Sequence, residues 1–312
     1  MGIIYASGRK KNPPCVPCPH GYAPGNPGTL GEVHKKVEDL YPRCFEGVRL
    51  NVKKSLSSNF STCHMIKISP VEPTGYTFGA CYQGDKKAAP NERYPEINGT
   101  LRPDGHLAAT WIHTLGCRLR IKHITQMFNG KCLTSKSTME YRRDDMTLSA
   151  SIDDPDFLKQ CGTISFYYLQ AFTPRLTMGI EVSAKRSPDI IGGQQSHVAG
   201  AFRYSTGIWT LSTTIGHAGI HACYHHKASQ QLQLGVELQT KLQKQDSTGT
   251  IYYQFDIPHA DMIFKGYVDT TTTVAGVFEK KLYPVPGASL LLSCQYNHIQ
   301  ENLHVGIGLN VG

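Results

Sequence analysis

Residues 303–311 read Leu303-His304-Val305-Gly306-Ile307-Gly308-Leu309-Asn310-Val311, with every odd-numbered position apolar and every even-numbered one polar or glycine. A period of two is the signature of an extended strand, because successive side chains leave a pleated backbone on opposite faces. The same alternation recurs upstream. Val48, Leu50 and Val52 interleave with Arg49, Asn51 and Lys53, and Leu119 and Ile121 with Arg120 and Lys122. Met178, Ile180 and Val182 interleave with Gly179, Glu181 and Ser183; Leu232, Leu234, Val236 and Leu238 do so with Gln233, Gly235, Glu237 and Gln239. Turn-forming pairs separate such stretches: Asn98-Gly99, Asp104-Gly105, Asn129-Gly130, Asp154-Pro155 and Pro286-Gly287.

Alternation gives each strand one wet and one apolar face, and the fold depends on what the apolar face touches. A soluble sandwich closes within about 100–250 residues. Here one pattern runs from residue 43 to 312 without a change of composition. A membrane strand needs roughly 9–11 residues, which with turns leaves room for about 19 strands. An open edge in lipid would strand unpaired amides, so the sheet must close. The expectation is an all-β transmembrane antiparallel barrel spanning 43–312, apolar outside and polar within. Small residues at inward positions (Gly179, Gly235, Gly306, Gly308) leave space for a channel. A soluble β-rich binding module is the competing architecture.

Residues 1–27 are rich in proline and glycine and read as an irregular arm. One helix is expected within 28–42. Thr29 and Glu32 have capping-box spacing, Leu30, Val33, Val37 and Leu40 share a face, and Pro42 stops it. At about 12 residues, roughly 18 Å, it is too short to span a bilayer and suits a plug against the inner wall.

No run of 18 apolar residues occurs, and basic Arg9, Lys10 and Lys11 follow the short apolar opening, the reverse of a secretory signal. Ala6 stands where a myristoylation pattern wants Ser or Thr. The net charge of +8 is dispersed, with no run of five like charges, so nucleic acid is not an expected partner. Ten cysteines, mostly single within strand-like segments, read as free thiols in a reducing compartment. Cys15, Cys18 and His20 form half a zinc pattern without a second ligand pair. His221, Cys223 and His225 share one strand face and His226 the other, and they read as wall or rim residues. Neither a metal nor a cofactor is expected. No phosphate loop, nucleophile elbow or metalloprotease helix is present, so the chain does not read as an enzyme.

A channel for cationic amphipathic peptides needs acids on a wet wall. Glu140, Glu181 and Glu237 are the candidates, and the bland reading has them paired to lumenal bases. Arg49, Arg120, Lys122 and Lys136 are the inward bases, whose simpler role is hydrogen bonding along the wall.

Several longer motifs carry a resemblance. They are Asn26-Pro27-Gly28-Thr29, Glu46-Gly47-Val48-Arg49-Leu50, HACYHHKASQQLQLGVE at 221–237, DMIFKGYVD at 261–269 and EKKL at 279–282. With these the chain resembles the channel-forming subunit of the translocase of the outer mitochondrial membrane (the TOM complex), a member of the mitochondrial porin superfamily. The resemblance implies a 19-stranded barrel with parallel first and last strands and the helix inside the pore. It also implies a protein-conducting channel for precursor proteins with basic presequences. The implied partners are the TOM receptor and small subunits, in an oligomeric complex embedded in the outer-membrane lipid. His304, Gly306, Leu309 and Val311 match the mitochondrial β-signal, which in that family is read by the sorting and assembly machinery. A metabolite porin similar to the voltage-dependent anion channels is the alternative function. The short arm with Cys15 and Cys18, and the sequence Thr270–Thr273, depart from the family pattern.

Overall fold

The computed structural model describes residues 26–312 except 72, 90, 91, 117, 157–160, 189, 191, 243, 244, 284 and 286. The expected arm, with Cys15, Cys18 and His20, lies almost wholly outside the described residues, only residues 26 and 27 of it being among them.

Among the described residues, nineteen strands follow one short helical segment. They are β1 (Gly47–Ser55), β2 (Phe60–Ile68), β3 (Gly75–Ala89), β4 (Glu92–Leu101), β5 (His106–Leu115), β6 (Leu119–Phe128), β7 (Lys131–Arg142), β8 (Met146–Asp156), β9 (Cys161–Ala171) and β10 (Leu176–Arg186). The series continues with β11 (Gln194–Ser205), β12 (Trp209–Gly216), β13 (Gly219–Lys227), β14 (Leu232–Lys241), β15 (Asp246–Ile257), β16 (Met262–Asp269), β17 (Thr273–Lys281), β18 (Ser289–Asn297) and β19 (Asn302–Val311).

Each strand pairs antiparallel with the next, and β1 pairs parallel with β19, so the sheet closes. The parallel seam follows from parity: an odd number of strands joined by hairpins leaves the first and last pointing the same way. Registers at the seam run from Gly47 opposite Gly306 to Val52 opposite Val311. Gly47 has φ +83°, and a Cβ there would meet the Ile68 carbonyl oxygen at 2.1 Å, so only glycine opens β1.

The alternation read from sequence is the alternation of the wall. On β1 and β19, Val48 and Ile307 stay 53% and 51% exposed, on a face shared with Ile66, Ile180, Val236 and Leu292. An exposed apolar band of this extent is not how a water-soluble barrel ends. Among the described residues no helix is long and apolar enough to cross a membrane, so crossing falls to the strands.

Two turn expectations need correction. Asn98-Gly99 lies inside β4, with Asn98 opposite Thr110 and Gly99 opposite Ala109. Ladders to β3 and β5 hold this dipeptide extended, overriding its turn preference. Asp154-Pro155 lies inside β8, where φ of +48° at Asp154 and a register shift between Asp153 and Asp156 make a bulge instead of a turn. Asn129 and Gly130, with φ of 47° and 76°, do form the turn expected of them.

The helical segment is shorter than its spacing predicts. Leu30–Glu32 forms a 3-10 turn and α1 covers only Lys35–Glu38. Between them His34 sits at φ −97°, ψ 0°, with both ring nitrogens bonded to the wall, which interrupts regular winding.

Candidate functional site

The segment from Asn26 to Phe45 is held against the strand face that carries Cys223, Gly235 and Glu237, opposite the exposed apolar one. Its entry is fixed by polar bonds. The Asn26 side-chain amide donates to the Arg143 carbonyl (2.5 Å), the Gly28 amide donates to Asn26 Oδ1 (2.8 Å), and the Arg203 guanidinium donates to the Pro27 carbonyl (2.6 Å). The Glu32 carboxylate accepts the Thr29 amide at 3.0 Å, the acidic half of the capping box. These bonds give the Asn26–Thr29 motif its physical content.

The apolar stripe docks in two places. Val33 packs with Leu169 and Ala201, with Leu30 beside them. Val37 and Leu40 pack with Cys223, Tyr252, Tyr267 and Ala275, with Cys44 at the edge. Tyr41 stacks on Tyr267 with ring centroids 5.5 Å apart. Each buried valine or leucine contributes about 1.5–3 kcal/mol relative to exposure. Of the inward glycines read as empty space, Gly235, Gly306 and Gly308 are seats for this segment, whereas Gly179 is filled from the wall itself, a Cβ there meeting Leu169 Cδ1 at 2.3 Å. A Cβ on Gly235 would meet Leu40 Cδ1 at 2.8 Å, and on Gly306 and Gly308 would meet Phe45 at 2.3 and 3.0 Å.

Polar residues of the segment are also tied down. Lys36 donates to Thr210 Oγ1 (2.7 Å) and Ser205 Oγ (3.0 Å), and burial, with Arg203 nearby, lowers its pKa. Lys265 donates to the Asp39 carbonyl at 2.6 Å. His34 bonds Ser212 Oγ through Nδ1 (2.9 Å) and Thr214 Oγ1 through Nε2 (2.8 Å). Burial first, then the neighbouring His221, against a smaller opposing pull from Glu237, hold its pKa at about 4, so the ring is neutral.

The three candidate acids have different company. Glu140 is buried, 2.7 Å from Arg142 and 3.8 Å from Arg120. Glu237 accepts from His221 Nε2 (2.7 Å), the Tyr252 hydroxyl (2.5 Å) and the Gln239 amide (2.6 Å). Glu181 stands opposite Tyr167 and Ala199, makes no bond of that kind among the described residues, and lies within electrostatic reach of Lys136 and Asp153. Lys136 donates to Asp153 at 2.9 Å. Lys122 stands opposite Thr138 and Ile112 on the same face. Arg49 lies over the Phe45 ring, 4.5 Å from its centroid.

At the seam, His304 Nδ1 lies 2.6 Å from Glu46 Oε2, and the Phe45 amide donates to Ser293 Oγ at 3.0 Å. Gly306 stands opposite Gly47, Leu309 opposite Leu50 and Val311 opposite Val52. The four terminal-signal positions are thus residues of the closing strand.

Sequence reading missed Arg142, Arg203, Lys265, Phe45, Glu46 and His34. Arg142 was findable, since i and i+2 in a strand share a face with Glu140. The others act across 160 or more positions in the chain, and no local pattern announces such a partner.

The eukaryotic porin family model matches residues 26–306, nearly the whole described chain. The chain belongs to that family. Within it, similarity extends to proteins named for mitochondrial import. It is 39% identical to a mitochondrial import receptor subunit TOM40 homolog 2 of Drosophila melanogaster, over 92% of this chain and 84% of that protein. It is 38% identical to the human mitochondrial import receptor subunit TOM40 homolog, over 92% of this chain and 78% of that protein. To the mouse mitochondrial import receptor subunit TOM40B it is 36% identical over 92% of both chains.

Proposed function

We propose that this chain is the protein-conducting channel through which precursor proteins cross the mitochondrial outer membrane. The observation that carries the reading is a closed 19-strand barrel with an exposed apolar face, in a chain 36–39% identical to import receptor subunits over 92% of its length. The polar face is the pore wall, and the segment 28–42 lies inside the pore as an inner helix. Its bonds to Ser212 and Lys265 and its seat at Gly235, with the flanking contacts of Pro27 to Arg203 and of Phe45 to Gly306, support that placement.

Precursors are recognised weakly and at many points. A cationic amphipathic presequence meets acids on the wall, each contact worth under about 1 kcal/mol in hydrated surroundings, while its apolar face meets wall apolar groups. Of Glu140, Glu181 and Glu237, Glu181 has the freest carboxylate, while the other two are engaged by Arg142 and His221. Arg49, Arg120, Lys122 and Lys136 set the local positive potential of the same wall. Partners in this reading are the TOM receptor and small subunits in an oligomeric complex, and the sorting and assembly machinery for the terminal signal.

Cross-linking a stalled precursor in intact mitochondria tests the reading directly: adducts to wall residues are expected, and adducts confined to other outer-membrane proteins overturn it. The competing reading, a metabolite porin, predicts planar-bilayer currents indifferent to a presequence peptide, where an import pore is blocked. Replacing Glu140, Glu181 and Glu237 together by glutamine should weaken that block and flatten its salt dependence. An unchanged affinity removes these acids from the mechanism.

A further inference from the structure

We propose that His34, His221 and Cys223, with Glu237 as fourth ligand, form a binding site for a zinc-class divalent ion that clamps the inner segment to the barrel wall. Among the described residues these three are the group whose metal-binding atoms converge, all lying within 4.8 Å of one another. They come from separate places: His34 from the segment before α1, His221 and Cys223 from β13, and Glu237 from β14, directly opposite Cys223.

The spacings suit a tetrahedral ion. Cys223 Sγ is 3.3 Å from His221 Nε2, the Glu237 carboxylate is 2.7 Å from the same nitrogen, and the two imidazole rings have centroids 4.2 Å apart. Zinc at about 2.0–2.1 Å from nitrogen or oxygen and 2.3 Å from sulfur requires ligand atoms roughly 3.3–3.8 Å apart. The three converging residues must draw in by about 1 Å to share one ion, and Glu237, which stands outside that trio, must swing away from its 2.7 Å bond to His221 to complete the shell. Mixed imidazole, thiolate and carboxylate donors favour a borderline-soft ion over calcium or magnesium.

Charge balances too. On ligation the Cys223 thiol releases its proton to solvent, so thiolate and carboxylate together neutralise a divalent cation in a buried place. His221 ligates through Nε2 with its proton moved to Nδ1, and one His34 nitrogen exchanges its hydroxyl partner for the ion. The surroundings already have the form of an outer shell. Tyr252 and Gln239 orient Glu237, Ser212 and Thr214 orient His34, and Val37 and Leu40 pack beside Cys223. Within β13 the HACYHH sequence looks like wall, because its missing ligand lies 187 residues away at His34.

The test uses the full-length barrel refolded in detergent, carrying Cys15→Ser and Cys18→Ser so that the arm contributes no thiolate. Titration with cobalt(II) should give one equivalent of binding, with a thiolate-to-cobalt charge-transfer band and tetrahedral d–d bands that zinc(II) abolishes. Cys223→Ser should remove the charge-transfer band, and His34→Ala should weaken affinity at least about ten-fold. His225→Ala, on the same strand face beyond the cluster, should leave both unchanged. Strand circular dichroism verifies that each variant folds, and His34 lies outside the barrel strands. Zinc should also slow trypsin cleavage at Lys35 and Lys36, an effect lost in His34→Ala. A parent protein without the charge-transfer band, or a band surviving Cys223→Ser, overturns the site. Cleavage indifferent to zinc overturns the clamp.

Discussion

A methyl group on Gly306 would meet the Phe45 carbonyl oxygen at 2.3 Å, a backbone atom that cannot swing aside. Phe45 in turn bonds Ser293 and lies under Arg49, so the strain would spread through the seam. Gly306→Val is therefore expected to destabilise the closed barrel by about 1–3 kcal/mol, the usual cost of overpacking, read as a lower urea midpoint with unchanged slope. At Glu140, substitution by glutamine leaves the buried Arg142 guanidinium without its 2.7 Å counter-charge. Breaking a buried pair typically costs about 3–5 kcal/mol, and a denaturation midpoint equal to that of the parent protein would show that Glu140 is not structural. That role was half visible in the chain, where Glu140 and Arg142 share a strand face. The pairing of His304 with Glu46, 2.6 Å apart, was not, because 258 positions separate them.

Among the elements, the docked segment shows most clearly where pattern reading stops. Its apolar stripe, Leu30, Val33, Val37 and Leu40, was legible and does dock. Its extent was not, since His34 turns to the wall and leaves only Lys35–Glu38 as α-helix. So short a helix has little stability of its own and depends on packing. Leu40→Ala should weaken docking by about 2–5 kcal/mol, seen as faster proteolysis at Lys35 and Lys36 in detergent. Val37→Asp with Leu40→Asp should release the segment altogether and raise single-channel conductance while strand circular dichroism is retained. Equal conductance would mean that the segment does not narrow the pore. Asn98-Gly99 teaches the same point for strands: a turn preference worth about a kilocalorie yields to ladders on both sides.

At the level of the whole molecule, closure depends on one parallel seam between the first and last strands. Leu309 lies on the apolar face opposite Leu50, so Leu309→Asp would set a charge toward lipid, at a cost below the roughly 2–4 kcal/mol of a Lys or Arg at the bilayer midplane. Together with Gly306→Glu, it is expected to stop membrane assembly, leaving the chain extractable by alkaline carbonate. Resistance to extraction in both variants would remove the terminal strand from the assembly step.

The chain by itself settled the fold class and, where the alternation is clean, which strand face is apolar, whereas the parallel seam was an implication of the family resemblance that the strand pairing bears out. The first two follow from a period of two, which is local along the sequence. Tertiary structure alone decided what fills the space above the inward glycines, which acids are already neutralised, and that His34 arrives beside Cys223. Each of those is a contact between residues more than a hundred positions apart or a choice among several eligible partners. Side chains that far apart are brought together by closure of the barrel, and no nearby residue type records the meeting.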